Sequence, residues 1–444
     1  MASSATELIN FLRAEKVFSR ERESKLQLLS DPAFQLDLRQ IGERTITELN
    51  SAKHSPGNGF RVYPSHHLNP LSKSQKCNSY DCRISYAENF ARRYALFSDK
   101  IVLADEMSSY LFRNEQYNIN DVLVNIDIVN ILLPLIDAGL IDLASPGISH
   151  CKSCFEKKLT DFESKMGGFV FENGFEVFAS YDEKKGGFNF KSEALFSNPD
   201  LIVHVKCPKT SVSSMGLRSS AKYHKLTKNE LEILSPVFME ILKKEYFTAY
   251  MDSTIAENER SLLINSTRIS NLCISHFRPS AVTNFPISSE PSRMFALPYI
   301  DGLNMAQVVK LREVANDSLQ SLRCLIEERV LLNPDSSPDT EIPKIVEELR
   351  RDIAETKKKM IALELKPKSK IDGLFAALGT SMVLYGVASG NPAVTIASVA
   401  PIVASVGIMN TNRKEHEKAE CEIKSSPAYA LLAAKELLQC PDKL

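Results

Sequence analysis

The chain has no excess of either charge: 54 Lys and Arg stand against 55 Asp and Glu, a formal charge of −1. That balance excludes a bulk nucleic-acid binder and an acidic disordered tail. A disulfide framework is missing too. Nine cysteines are spread over 444 residues, and reduced thiols in an intracellular protein are the simpler reading. The segment from Met1 to Arg22 carries charges every few positions and has no apolar run, so no secretory signal is expected there. Common enzyme fingerprints are also lacking. There is no P-loop, no G-x-G-x-x-G after a strand, no G-x-S-x-G elbow and no H-E-x-x-H. His416-Glu417-Lys418-Ala419-Glu420 lacks the second histidine of a zinc protease. These absences count against the commonest ATPases, dehydrogenases, hydrolases and metalloproteases, and leave a motif-poor enzyme open. No catalytic residue and no cofactor follow from the sequence.

What is present is ordinary globular material, 43% hydrophobic and 25% charged, enough for more than one core. The order of elements predicts an α+β N-terminal and middle region followed by a mainly α-helical C-terminal part with an apolar helical hairpin. Its expected divisions are a helical segment (1–58), an α+β domain (59–295), long helices with a short heptad seam (296–370), the hairpin (371–412) and a C-terminal helix (413–444). Two helices are expected before the Ser55–Gly59 linker, broken at Asp31-Pro32. Lys100–Ala104 reads as a buried strand, Asn120–Ala138 as a helix stopped by Gly139, and Leu140–Leu143 as another strand. Phe169 to Phe178 alternates around Asn173-Gly174, a hairpin signal. Phe188–Phe190 and Leu201–Val205 are further strands. Thr227 with Glu230 is a capping box opening a helix over Leu231–Tyr246. Val308, Leu311, Ala315, Leu319, Leu322 and Ile326 mark one long helix. A second helix carries a heptad seam from Val346 to Leu363, short enough for an intramolecular hairpin rather than a dimer.

The most specific feature is an absence within the chain: no charged side chain occurs from Gly373 to Asn412. Ser389-Gly390-Asn391-Pro392 splits this segment into halves near the length of a membrane span. Lysines before it and Arg413, Lys414 and Lys418 after it suit a hairpin with both ends cytoplasmic. Gly386 and Gly390, then Ala393, Ala397, Pro401 and Ser405, form the small-residue stripes that let membrane helices approach closely. A buried hairpin in a soluble fold accounts for the same composition. The leading expectation is a cytoplasmic protein, acting at the inner face of the membrane as a sensor or a defence- or toxin-type effector, with lipid as partner. Homo-oligomers through the helices are a further expectation.

The rival expectation is a soluble nucleic-acid- or phosphate-binding protein or motif-poor enzyme. It would use the acid-free stretch that carries Lys206, Lys209, Arg218, Lys222, Lys225 and Lys228 among serines. Cys151 and Cys154 have the CxxC spacing of a zinc or redox site. Cys77 and Cys82, with His66 and His67 nearby, are the available second pair for a metal. Glu183-Lys184-Lys185 with Asp161 matches half of a metal-nuclease pattern but falls in a turn sequence. Asp99, Asp105 and Glu106 flank the Lys100–Ala104 strand and read as surface acids.

Overall fold

The computed structural model describes residues 5–51, 61–73, 77–114, 117–147, 151–172, 176–192, 202–206, 217, 219–265, 268–277, 295–296, 302–326, 338–362, 384–385 and 420–439. Among the described residues helices accompany two four-stranded sheets and one two-residue strand pairing. The first sheet contains β1 (Arg61–Pro64), β2 (Lys100–Ala104), β3 (Ile141–Ala144) and β8 (Leu262–Ile264), all parallel, in the order β3-β2-β1-β8. β2 is apolar at every position but its first, and Ile101, Val102 and Leu103 have no exposure. Strands covered on both faces need that continuous run rather than alternation.

Three helices precede the sheet: α1 (Glu7–Ala14), α2 (Arg22–Ser30) and α3 (Pro32–Ser51). The break at Asp31-Pro32 falls where proline demands it, but two short helices rather than one stand before it. Between the strands run α4 (Tyr80–Phe97), α5 (Glu106–Arg113) and α6 (Ile119–Asp137). α6 is the helix expected before Gly139, whose φ of +70° lets the chain reverse into β3. Apolar nearly all round, α6 is long and apolar enough to cross a membrane. It instead contributes Leu123, Ile126, Leu132, Leu135 and Ile136 to the core. Its Asp127 is held by Lys25 at 2.6 Å and by the Tyr80 hydroxyl at 2.9 Å, so the charge is not left bare in the interior.

Between β3 and β8 lies a long excursion. α7 (Lys152–Glu172) leads to β4 (Phe178–Asp182), β5 (Gly187–Lys191), β6 (Val203–Lys206) and β7 (His224–Lys225), an antiparallel sheet ordered β6-β5-β4-β7. The hairpin expected around Asn173-Gly174 is corrected: Phe169–Glu172 continue α7, and the hairpin lies between β4 and β5. Its turn is the Glu183-Lys184-Lys185 sequence. Asp182 accepts from the Lys184 and Lys185 amides, and Gly186 sits at φ +64°. The capping box at Thr227 and Glu230 is formed, but α8 (Lys228–Ile233) ends at Leu234, and α9 (Ser235–Asn258) begins there. α10 (Arg268–Phe277) follows β8. Phe162, Phe188, Phe190, Phe238 and Tyr246 form a second core under this sheet.

The expected long helix from Val308 is two, α11 (Met305–Val314) and α12 (Asn316–Ile326), parted at Ala315 with φ −122°. α13 (Pro338–Ala362) and α14 (Pro427–Gln439) follow. Leu311, Leu319, Ile353, Leu431 and Leu437 belong to the same core as α1, α3 and α6. Within 373–412 only Leu384–Tyr385 are described, in a two-residue antiparallel pairing with Phe295–Ala296. The stripe residues Gly386, Gly390, Ala393, Ala397, Pro401 and Ser405 lie outside the described residues.

α3 packs against α5, and their close approach depends on Gly42. A Cβ added there would stand 3.1 Å from Leu111 Cβ and 3.3 Å from the Ser108 carbonyl oxygen. Gly42→Val is expected to destabilise the fold by about 1–3 kcal/mol through overpacking. Leu36→Ala, at a residue 56% exposed, should stay within about 0.5 kcal/mol of the parent. Urea denaturation of the two variants checks the contrast.

Candidate functional site

β2 and β3 extend the sheet to one side of β1, and β8 adds to the other. In open parallel sheets the crevice beyond the carboxyl ends of two such strands is where ligands bind. Here that crevice lies past β1 and β8, where the Ser65 amide donates to the Ile264 carbonyl at 2.8 Å. The segment after β1 is Ser65-His66-His67-Leu68-Asn69-Pro70-Leu71-Ser72. It has no glycine, so it does not cradle a dinucleotide pyrophosphate in the usual way. It presents two histidines instead.

The two rings have separate partners. His67 is buried, with Nε2 2.7 and 2.8 Å from the two carboxylate oxygens of Glu245 on α9. Ser270, on α10, donates its hydroxyl to the same carboxylate. Burial alone pushes the Glu245 carboxyl up. The charge and hydrogen bond of His67, the Ser270 hydroxyl and nearby His66 outweigh burial and hold it below its usual range. His66 is only partly buried, and its ring stands between two groups: Nδ1 is 3.1 Å from Glu106 Oε1 and Nε2 is 3.0 Å from Ser72 Oγ.

Further hydrogen bonds hold this arrangement. The His66 backbone amide donates to Asp252 Oδ2 at 2.8 Å, and the buried Tyr63 hydroxyl donates to Oδ1 at 3.3 Å. Asn69 donates to the Ala104 carbonyl at 2.8 Å and accepts from the Leu71 amide at 3.0 Å. This ties the β1 loop to the end of β2. Asp105 caps α5, accepting from the Ser108 amide at 2.9 Å and its hydroxyl at 2.6 Å. Glu106 is therefore fixed in the first turn of that helix. The Ser72 amide donates to the Asn69 carbonyl at 3.0 Å in a turn, and Lys73 follows, paired with Asp121. The Ser65 hydroxyl is buried with no hydrogen-bond partner among the described residues.

The sequence-predicted candidates fare differently. Cys77, Cys82, Cys151 and Cys154 are exposed thiols, and no three His, Cys, Asp or Glu side chains converge as a metal-ligand set among the described residues. Cys273 is buried, whereas Cys324 is exposed. Of the basic stretch, Lys209 and Arg218 lie outside the described residues. Lys206 ends β6 and Lys225 lies in β7, on opposite edges of the small sheet. Three strand spacings separate those edges, roughly 14 Å. Lys225 pairs with Glu176, while Lys222 and Lys228 flank β7 in sequence. Asp161 pairs with His276 at 3.0 Å, while Lys184 and Lys185 donate their amides to Asp182 in the β4–β5 turn. Asp105 and Glu106 are not surface acids but belong to the site. No protein-family model, curated protein or solved structure matches the chain.

Asp252 has a measurable consequence. Burial is the main cause that raises its carboxyl, to about 6, despite the opposing His66 charge and amide and the nearby His67. With the folded value above the unfolded one, the native state holds more protons between about pH 4 and 6. The contribution of this group to stability is present below that window and lost across it as the pH rises, up to about 3 kcal/mol. Asp252→Asn removes the titration. The stability of the variant relative to the parent should therefore improve from pH 4 to pH 7 in urea unfolding. A constant difference across that range would remove the assignment.

Proposed function

We propose that the chain is a motif-poor enzyme of the acyl-transfer class, with Ser72 as nucleophile, His66 as general base and Glu106 as the carboxylate that orients the ring. The single observation supporting this is the Ser72 Oγ–His66 Nε2–His66 Nδ1–Glu106 Oε1 relay, at 3.0 and 3.1 Å. Such a relay is recognised by geometry and roles and recurs on unrelated folds in different chain orders.

The chemistry follows from what each atom can do. A carboxylate only accepts, so His66 Nδ1 carries the proton facing Glu106, and the neutral ring offers its Nε2 lone pair to the Ser72 hydroxyl. When Ser72 Oγ attacks an acyl carbon, its proton passes to Nε2, and Glu106 stabilises the imidazolium. The ring returns the proton to the leaving group, and a water deprotonated at the same Nε2 then hydrolyses the acyl-serine. Ser72 is 1% exposed, which favours a small acyl group reaching it past the partly exposed imidazole. The Asp252 bond to the His66 amide fixes the backbone from which the ring projects.

A fluorophosphonate probe is expected to label Ser72 in the intact protein and not in Ser72→Ala. With p-nitrophenyl acetate, Ser72→Ala and His66→Gln should each lose on the order of 10³-fold or more in kcat/KM. Labelling at another residue, or equal hydrolysis by Ser72→Ala and the parent, sinks the proposal.

A second role is supported by a separate sequence observation, the uncharged segment 373–412 in a chain that is 25% charged overall. Under this reading, burial of that segment in lipid associates the protein with a membrane. The protein should then float with phospholipid vesicles in a density gradient, and a Val399→Asp change should reduce flotation. A parent protein that stays with the soluble fraction at every lipid concentration rules this role out.

A further inference from the structure

The CxxC pair lies at the start of a long helix, and its placement does more than the spacing alone. Cys151 is the residue before α7, and its carbonyl accepts from the Phe155 amide at 3.0 Å. Cys154 is therefore the third residue of the helix. Those two positions are the ones a capping box brings together, since the side chain at the first receives the amide of the second, whose own side chain reaches back. Cys151 Sγ is 3.2 Å from the Ser153 hydroxyl, at the same end of the helix as the Cys154 thiol. Both cysteines are exposed, so an external reagent reaches the pair.

We propose that Cys151 and Cys154 form a redox-active dithiol that exchanges with low-molecular-weight disulfides, Cys151 attacking and Cys154 resolving. The site is separate from the Ser72 relay and does not depend on its chemistry. In the first step the Cys151 thiolate attacks one sulfur of the external disulfide. A mixed disulfide forms, and one thiolate leaves and takes a proton from water. In the second step Cys154, after giving its proton to solvent, attacks Cys151 Sγ and expels the second thiolate. Two protein thiols are oxidised by two electrons, and one external disulfide is reduced to two thiols.

The roles follow from the asymmetry of the pair. The Ser153 hydroxyl, with the Cys154 amide and thiol, draws the Cys151 thiol down to about 7, near the optimum for an attacking thiol at neutral pH. Cys154 moves upward, because it donates to Cys151 and faces its charge. It stays protonated until the mixed disulfide removes that charge. Lys157, one turn on from Ser153, acts on Cys154 in the opposite sense.

The test uses the full chain. At pH 7 and limiting iodoacetamide, Cys151 should alkylate about 5–10-fold faster than the exposed Cys77 or Cys421, from its larger thiolate fraction. With glutathione disulfide, peptide mapping of the parent should show a Cys151–Cys154 disulfide. Cys154→Ser should stop at a stable glutathione adduct on Cys151, and Cys151→Ser should leave Cys154 unmodified. Alkylation of Cys151 at the rate of Cys77, or an adduct distributed evenly over the exposed cysteines in Cys154→Ser, overturns the proposal. Both positions are exposed, so far-UV circular dichroism of each variant should match the parent.

Discussion

The contact between His67 and Glu245 holds the site together. It joins the loop after β1 to a helix 178 positions later in sequence, and both partners are buried. A charge withdrawn from water in this way is tolerated only when it is paired and hydrogen-bonded, and removing one partner of such a pair typically costs about 3–5 kcal/mol. Glu245 meets that requirement with His67 on one side and the Ser270 hydroxyl on the other. Because His67 is committed inward, the neighbouring His66 is carried to the rim, where it faces Glu106 and Ser72. Asp252, two turns further along α9, grips the His66 amide itself. Backbone and side chains of the loop are thus held by one helix, and the partly exposed imidazole inherits its position from buried groups that never reach solvent.

That helix also explains why two hydrophobic cores coexist. The first part of α9 places Phe238, Leu242 and Tyr246 under the antiparallel sheet. The last part places Ile255 and Ala256 against Tyr63, Val102 and Ala144 on the parallel sheet. Glu245 lies within the first of these stretches, next to Tyr246, and Asp252 lies between the two. The excursion from β3 to β8 therefore supplies the carboxylates that hold the loop after β1. At the other end of the strands, Arg61 is held 3.4 Å from Glu259, and Lys100 2.7 Å from Asp142. Those pairs tie strand starts to neighbouring elements and orient no histidine or hydroxyl.

Features set by neighbours in sequence were legible. Gly139 stops α6, Asp31-Pro32 parts α2 from α3, and Thr227 and Glu230 form their capping box, because each acts within a few residues. The misreadings came where local signals compete. Asn173-Gly174 is a strong turn pair, yet Phe169–Glu172 belong to a helix begun at Lys152, and propagating an existing helix is easier than nucleating a hairpin beside it. Ala315 kept the apolar spacing of one helix while the chain changed direction there. The site itself was hidden for a different reason. Its histidines drew notice only as neighbours of Cys77, and Asp105 and Glu106 looked like ordinary acids at a strand end. Their partners Glu245, Asp252 and Ser270 come from elements far along the chain, and no short-range pattern announces a pairing closed by tertiary structure.

The same logic separates the serine relay from the cysteine pair. Ser72, His66 and Glu106 are brought together by a sheet, a capped helix and a buried ion pair, so any change that loosens α9 or α5 acts on the relay without touching it. Cys151 and Cys154 need only the first turn of α7, where the Ser153 hydroxyl meets the Cys151 sulfur. The first arrangement is invisible in sequence because it depends on the whole fold. The second is visible as a spacing, yet its asymmetry becomes readable only once the helix start is fixed between Cys151 and Lys152. A shift of that start by one residue would leave the CxxC unchanged in sequence and move both thiols from their present positions at the helix start. Helix register, rather than the motif, is what distinguishes a poised dithiol from two ordinary surface cysteines.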